Sequence, residues 1–162
     1  MKKFEQYIQV GGFVRESVVD GPGIRQVLFV SGCRFGCKGC QNPELQDFDY
    51  GKKMTLEEVE GLFYFDGRIN SVTFSGGEPM EQAGALAELA ARLKQKGIKD
   101  IMVFSGYTLE EILSGHDRDK LSLLKQCDLL VDGRFDINKK SLNLPYRGSS
   151  NQRIIDLSSK WG

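Results

Sequence analysis

The apolar run QVLFVS at 26–31 empties into SGCRFGCKGCQNP, a glycine-rich segment that places Cys33, Cys37 and Cys40 within eight positions. A short apolar run bounded in this way reads as a buried strand, so the fold has to present three thiols together at a strand end. The fourth cysteine, Cys127, is far away in sequence. Three is an awkward number. Disulfides use thiols in pairs, and structural zinc is normally closed by four ligands in paired spacings. Neither Cys127 nor the single histidine, His116, belongs to a paired spacing. An iron–sulfur cluster held by three thiolates is the third arrangement. It leaves one iron without a protein ligand, whereas four-cysteine ligation is the rule, and an open coordination position is where a metal site reacts. Three reduced, unligated cysteines are the plain alternative, but thiols exposed together in one loop are an oxidation liability. Gly32, Gly36 and Gly39 allow tight turns and close backbone approach, and Arg34 and Lys38 add positive charge beside the thiolates. The open cluster is the favoured reading.

Beyond this loop, strands alternate with helices. SVTFS (71–75), IMVFS (101–105) and DLLVD (128–132) read as strands, with QRIIDL (152–157) as a last one. Thr55 and Thr108 are each followed three residues later by a glutamate, a capping-box pattern that opens a helix. The first should run to about residue 65, with Phe63, Tyr64 and Phe65 as its core face. Residues 82–96, QAGALAELAARLKQK, have leucine and alanine at helical spacing and Gly97 behind them as a C-cap. A further helix is expected within 117–126. Such alternation predicts parallel βαβ units, about four or five of them, where a complete eight-unit barrel needs roughly 200 residues or more. The expected fold is therefore α/β, either a partial barrel or an open sheet, in a single domain over residues 1–162. Sites in these folds lie at the carboxyl ends of strands. On that topology the cysteine loop, Gly76-Gly77-Glu78, Ser105-Gly106-Tyr107 and Asp132-Gly133-Arg134 all reach one rim.

Composition narrows the class. Hydrophobic residues at 40% and charged residues at 27% describe a globular chain, and 22 Lys+Arg against 22 Asp+Glu leave no net field to draw it to nucleic acid or a membrane. MKKFEQYIQVGG has no apolar run long enough for a signal peptide, and nothing approaches a spanning helix. The expected location is the cytoplasm, where clustered cysteines favour metal over disulfide.

The spacing Cys33-x3-Cys37-x2-Cys40 resembles that of the radical S-adenosylmethionine superfamily, in which three cysteines hold a 4Fe–4S cluster. With it come VDGPGIR (19–25), LFVSGCRFGCKGCQNPE (28–44), TFSGGEPM (73–80), DLLVDGRF (128–135) and RGSSNQRIIDL (147–157). Together they make the chain similar, over nearly its whole length, to the activating proteins of anaerobic (class III) ribonucleotide reductase. The residue before the third cysteine is usually aromatic in the superfamily. Gly39 departs from that as the reductase-activating group does, and points away from the pyruvate formate-lyase activator. The resemblance implies a partial radical-SAM-type barrel and an oxidoreductase. It would cleave S-adenosylmethionine reductively and take a hydrogen atom from a glycine α-carbon of the reductase. It implies Cys33, Cys37 and Cys40 as cluster ligands. Gly39, Cys40, Gln41, Gly76, Gly77 and Glu78 would lie against S-adenosylmethionine, the glycine pair binding its methionyl amino end through the backbone. An electron donor such as flavodoxin or ferredoxin would complete the system, and a second copy of the chain is one way to supply missing barrel wall.

Other motifs carry weaker signals. Asp20-Gly21-Pro22-Gly23 resembles a run in glycyl-radical activators and equally describes a tight turn. Asp132-Gly133-Arg134 and Arg147–Asn151 touch adenosine or partner, or only shape loops. His116 reads as a solvated loop residue and Cys127 as a small buried hydrophobe. Three alternatives stand against the leading function: activation of a different glycyl radical enzyme, a radical enzyme acting on a small molecule, and a non-catalytic zinc-binding or electron-carrying module.

Overall fold

The computed structural model describes residues 6–141 and 143–158; Lys2 and Lys3 of the opening stretch MKKFEQYIQVGG lie outside them. A seven-stranded mixed sheet organises the chain, with order β3-β1-β2-β4-β5-β6-β7. Its strands are β1 (Tyr7–Ser17), β2 (Arg25–Val30), β3 (Lys52–Thr55), β4 (Ser71–Gly76), β5 (Asp100–Ser105), β6 (Leu129–Asp132) and β7 (Arg153–Asp156). Between them run α1 (Leu56–Glu60), α2 (Ala83–Gln95), α3 (Leu109–Ser114) and α4 (Arg118–Gln126). The central four strands, β2, β4, β5 and β6, are parallel. β1 pairs antiparallel with β2 and β3, and β7 with β6. Among the described residues no helix is long and apolar enough to cross a membrane.

Strand alternation sorts the parallel strands into two faces. Leu28, Val30, Val72, Phe74, Ile101, Val103 and Leu130 join Leu86, Leu89 and Leu93 of α2 and Leu123 and Leu124 of α4 in the buried core. Val27, Thr73 and Met102, one position out of phase, are just as buried but face the other way. On that second face the VDGPGIR segment is tied down. Arg25 is fully buried and ion-paired with Asp100 at 2.7 Å. Its guanidinium also donates to the Thr73 hydroxyl at 2.8 Å and to the carbonyls of Pro22 (3.1 Å) and Val72 (2.9 Å). Thr73 donates in turn to the Asp20 carbonyl. Gly21 has φ +135°, and a Cβ there would stand 2.7 Å from Arg25 Cδ and Met102 Sδ. The motif is thus held as a turn beneath the sheet edge.

Several expectations need correction. The all-parallel sheet acquires three antiparallel strands, and the 11-residue β1 and the short β3 are additions. Gly11 and Gly12 interrupt the alternation of β1, and its register shifts between Val10 and Gly12. The helix opened by Thr55 has its full capping box but ends at Glu60. Gln26 explains the early stop: its side-chain amide bonds both the N–H and the carbonyl of Tyr64, each at 2.9 Å, drawing the chain off the helix axis. Phe63 is buried there without being helical, while Tyr64 and Phe65 are 45% and 37% exposed. The second capping box, at Thr108, opens α3 as expected.

Candidate functional site

The loops after the four parallel strands are bonded to one another. Gly32, at φ +104°, donates to the Leu45 carbonyl at 2.8 Å, and Cys33 donates to that of Gln46 at 3.1 Å. The turn Pro43–Gln46 therefore fixes the start of the cysteine loop. Gly77 donates to the Val30 carbonyl and Glu78 to the Gly32 carbonyl, both at 2.8 Å, which binds the glycine pair to the same loop. The Glu78 carboxylate reaches on to the third strand end. It accepts from the Gly106 N–H at 2.6 Å, the Ser105 hydroxyl at 2.7 Å and the Met80 N–H at 3.0 Å. Glu81 accepts from the Tyr107 hydroxyl at 2.9 Å and from Arg34 of the cysteine loop at 3.0 Å. Phe35 meets Tyr107 edge-on, and the Arg134 guanidinium of the fourth loop lies 4.2 Å over its ring.

These loops enclose a cavity of roughly 540 Å³, within the usual range for a small-molecule cleft. Its wall includes Cys33, Cys37, Cys40, Gln41, Gly76, Gly77 and Glu78. Ser75, Phe104 and Val131 form part of it too, and each is one position out of phase with a core residue, which puts the cavity on the sheet face opposite the helices. Gly39 is not on the wall. It turns at φ +77°, and a Cβ there would run into Ile137 Cδ1 at 2.6 Å. Of the weaker candidates, Asp20, Gly133, Arg134, Arg147 and Gly148 reach the cavity. Asp132 is fully buried and accepts from the Leu109 N–H and from Arg153, which also pairs with Glu110. Asn151 donates to the Arg134 carbonyl. His116 is exposed at φ 56°, and Cys127 is buried with its thiol pushed up by desolvation.

A family model described as a 4Fe-4S single cluster domain matches residues 19–155. The chain is 40% identical over 144 residues to the anaerobic ribonucleoside-triphosphate reductase-activating protein of Vibrio cholerae, covering 85% of this chain and 90% of that one. It is 34% identical over 144 residues to the protein of that name from Pasteurella multocida, with 85% and 90% covered. Against its Escherichia coli counterpart it is 33% identical over 147 residues, with 86% and 93% covered. The chain belongs to the family of anaerobic ribonucleoside-triphosphate reductase-activating proteins. Its cysteines suit the cluster domain that the family carries. All three line one cavity and are half-buried, and the loop between them turns at Gly36 and Gly39 with positive φ. Among the described residues no group of three Cys, His, Asp or Glu side chains is gathered as a single ion would need. Thiolates of a multi-iron cluster bind different irons and stand further apart than that. Burial pushes the Cys33 thiol up, with the Glu78 carboxylate adding to it. A coordinating metal reverses this by deprotonating the thiol.

In this activating-protein chain Glu78 has a measurable signature. Burial pushes its carboxyl up to about 7, against an ordinary 4.5, despite the three donated hydrogen bonds. Between those values the folded chain holds a proton that the unfolded chain has lost. The group's contribution to stability is therefore complete below about pH 4.5 and lost as pH rises through about 7, a loss of about 3 kcal/mol. Glu78→Gln should remove this slope. In urea unfolding from pH 5 to pH 8, the stability difference between the two chains should move in favour of the glutamine variant by up to about 3 kcal/mol.

Three contributors escaped the sequence reading. Phe35 and Glu81 look like an ordinary loop aromatic and a helix-start acid until the third and fourth loops close on them. Gln82 bonds both backbone groups of Gln9 and the Ser31 carbonyl, pinning β1 beside the cysteine loop. Only the GGEPMEQ stretch, rich in polar groups behind a strand, carried a hint of it.

Proposed function

We propose that this chain is an oxidoreductase that activates anaerobic ribonucleotide reductase by generating a glycyl radical on it, using a 4Fe–4S cluster and S-adenosylmethionine. The observation that carries the reading is the placement of Cys33, Cys37 and Cys40 with Gly76 and Gly77 on one cavity wall, in a chain of this family. When bound, the reduced cluster and S-adenosylmethionine together supply an organic radical that takes a hydrogen atom from a glycine α-carbon of the reductase. Cys33, Cys37 and Cys40 would hold the cluster and leave a coordination position open for S-adenosylmethionine. Gly76 and Gly77 would bring backbone groups against its methionyl end, and both are glycine because a Cβ there would strike the main chain of Val30 at Gly76 and of Leu45 and Gly32 at Gly77. Cys40 and Gln41 would line its other side, with Gly39 turning the main chain behind them. Glu78 acts through its backbone and as a clamp between loops, since its carboxylate is engaged by Ser105, Gly106 and Met80.

The fold reading that accompanies this is a single domain over residues 1–162, an open radical-SAM-type barrel in which β2, β4, β5 and β6 form the surviving wall. The missing wall suits a macromolecular substrate whose glycine loop has to enter. Val18 and Val19, 68% and 73% exposed at the cavity edge, fit such a mouth. Flavodoxin or ferredoxin in the cytoplasm would supply the electron. The test is anaerobic reconstitution and dithionite reduction with S-adenosylmethionine, with and without the reductase. A glycyl radical on the reductase by electron paramagnetic resonance is expected. Deoxyadenosine without that radical would reopen the substrate, and a reduced cluster indifferent to S-adenosylmethionine would overturn the reading.

A further inference from the structure

Phe135 is an aromatic side chain that the core does not use. It follows Arg134 in the loop after β6, is half-buried, and lies outside the hydrophobic cluster between sheet and helices. Its ring is instead bracketed by two glycines from different loops. A Cβ on Gly39 would come 3.3 Å from Phe135 Cε2, and one on Gly148 would come 2.9 Å from Cδ1 and 3.1 Å from Cε1. Glycine at both places lets two main chains close on the ring and set its plane. What remains of the ring lines the cavity.

The backbone around it is equally fixed. The Arg134 carbonyl accepts from Asn151 at 2.8 Å, and the Asp136 N–H donates to the Ser149 hydroxyl at 3.1 Å. Arg134 itself is held over Phe35 and against Glu111. Beside the ring stands a side-chain amide: Gln41 Nε2 is 3.1 Å from the same hypothetical Cβ on Gly148, and Gln41 also lines the cavity. A preset aromatic ring on the cavity wall with an amide beside it suits a planar heteroaromatic, which offers a π-face to stack and a polar edge to hydrogen-bond. The cysteines and the Gly76-Gly77 turn offer thiolates and backbone groups, which suit the amino-acid end of a ligand rather than a base.

We propose that Phe135 stacks on the adenine ring of S-adenosylmethionine, with the Gln41 amide at the edge of the base, and so selects for the purine. This rests on the proposed function, because it assumes that the cavity takes S-adenosylmethionine. The purine then lies between the cluster loop and the Arg147-Gly148 loop. A side chain at position 148 would displace the ring.

The test uses the full chain with its cluster reconstituted and kept oxidised, so that ligand binds without being cleaved, and reads S-adenosylmethionine affinity by equilibrium dialysis. Phe135→Leu keeps an apolar side chain but loses the π-face and should weaken binding roughly ten- to a hundredfold. Phe135→Tyr should stay within about threefold of wild type, with iron content and melting temperature unchanged in both variants. Affinity that survives Phe135→Leu, or that falls equally in the tyrosine variant, would overturn the stacking role while leaving the proposed function intact. Absence of binding by the wild-type chain would overturn both.

Discussion

Serine at Cys33, Cys37 or Cys40 should leave a folded chain that no longer retains its cluster, losing the brown absorbance and more than about a hundredfold in S-adenosylmethionine cleavage. Replacing groups that merely support a metal ligand already costs about 10–100-fold. Each of the three thiols lies on the cavity wall with no disulfide partner, so none has a structural role that would confuse the result. Cys127→Ala is the control. That residue is 3% exposed within the core, and its loss should cost about 1 kcal/mol of stability with iron content unchanged. Iron and sulfide analysis beside thermal melts separates the two classes. Loss of iron from Cys127→Ala would sink the three-ligand assignment.

Gly77→Ala should be nearly as damaging, for a steric reason. A methyl at Gly77 would collide with the Leu45 carbonyl oxygen and sit 2.7 Å from that of Gly32. Both oxygens belong to hydrogen-bonded main chain, since Leu45 accepts from Gly32 and Gly32 accepts from Glu78. Relief therefore has to come from separating the glycine turn from the cysteine loop. Forced overpacking of this kind costs about 1–3 kcal/mol, and it falls where ligand geometry is set. A drop of at least about a hundredfold in S-adenosylmethionine cleavage is expected, with a melting temperature lower by several degrees. Gly84→Ala is the comparison: the nearest atoms its methyl would meet are those of the Asp119 carboxylate, at 3.0 Å and beyond, and activity should be retained. Equal activity of the Gly77 variant and wild type would remove the close approach from the account of the site.

The motifs that announce themselves in this sequence are those whose chemistry is local. A strand followed by glycines and thiols, or by Gly76-Gly77-Glu78, needs no distant partner to be recognised. β1 was illegible because paired glycines break its alternation and because its partners, β2 and β3, are set by hydrogen bonds across the sheet. The role of Arg25 was equally hidden. An arginine at the start of an apolar run looks like a solvated end, yet its guanidinium is buried, with Asp100, 75 residues on, as its half-exposed partner. Glu78 was expected to meet the ligand through its backbone, and only the positions of Ser105 and Gly106 reveal that its carboxylate is spent on its own chain. Phe135 shows the same limit, since two glycines far apart in sequence decide where its ring can lie.

The order of the strands bears on how small such a protein can become. All four strands whose ends carry the cavity are interior, because β1 covers β2 on one side and β7 covers β6 on the other. A trimmed chain keeping only those four would have every residue of the cysteine loop and of the glycine turn. It would also leave β2 and β6 with unpaired backbone along apolar strands, a template for sticking to other copies. The three antiparallel strands thus act as selvage on a woven cloth. They contribute little to the pattern at the centre, and without them it would fray into aggregates before any chemistry could be assayed.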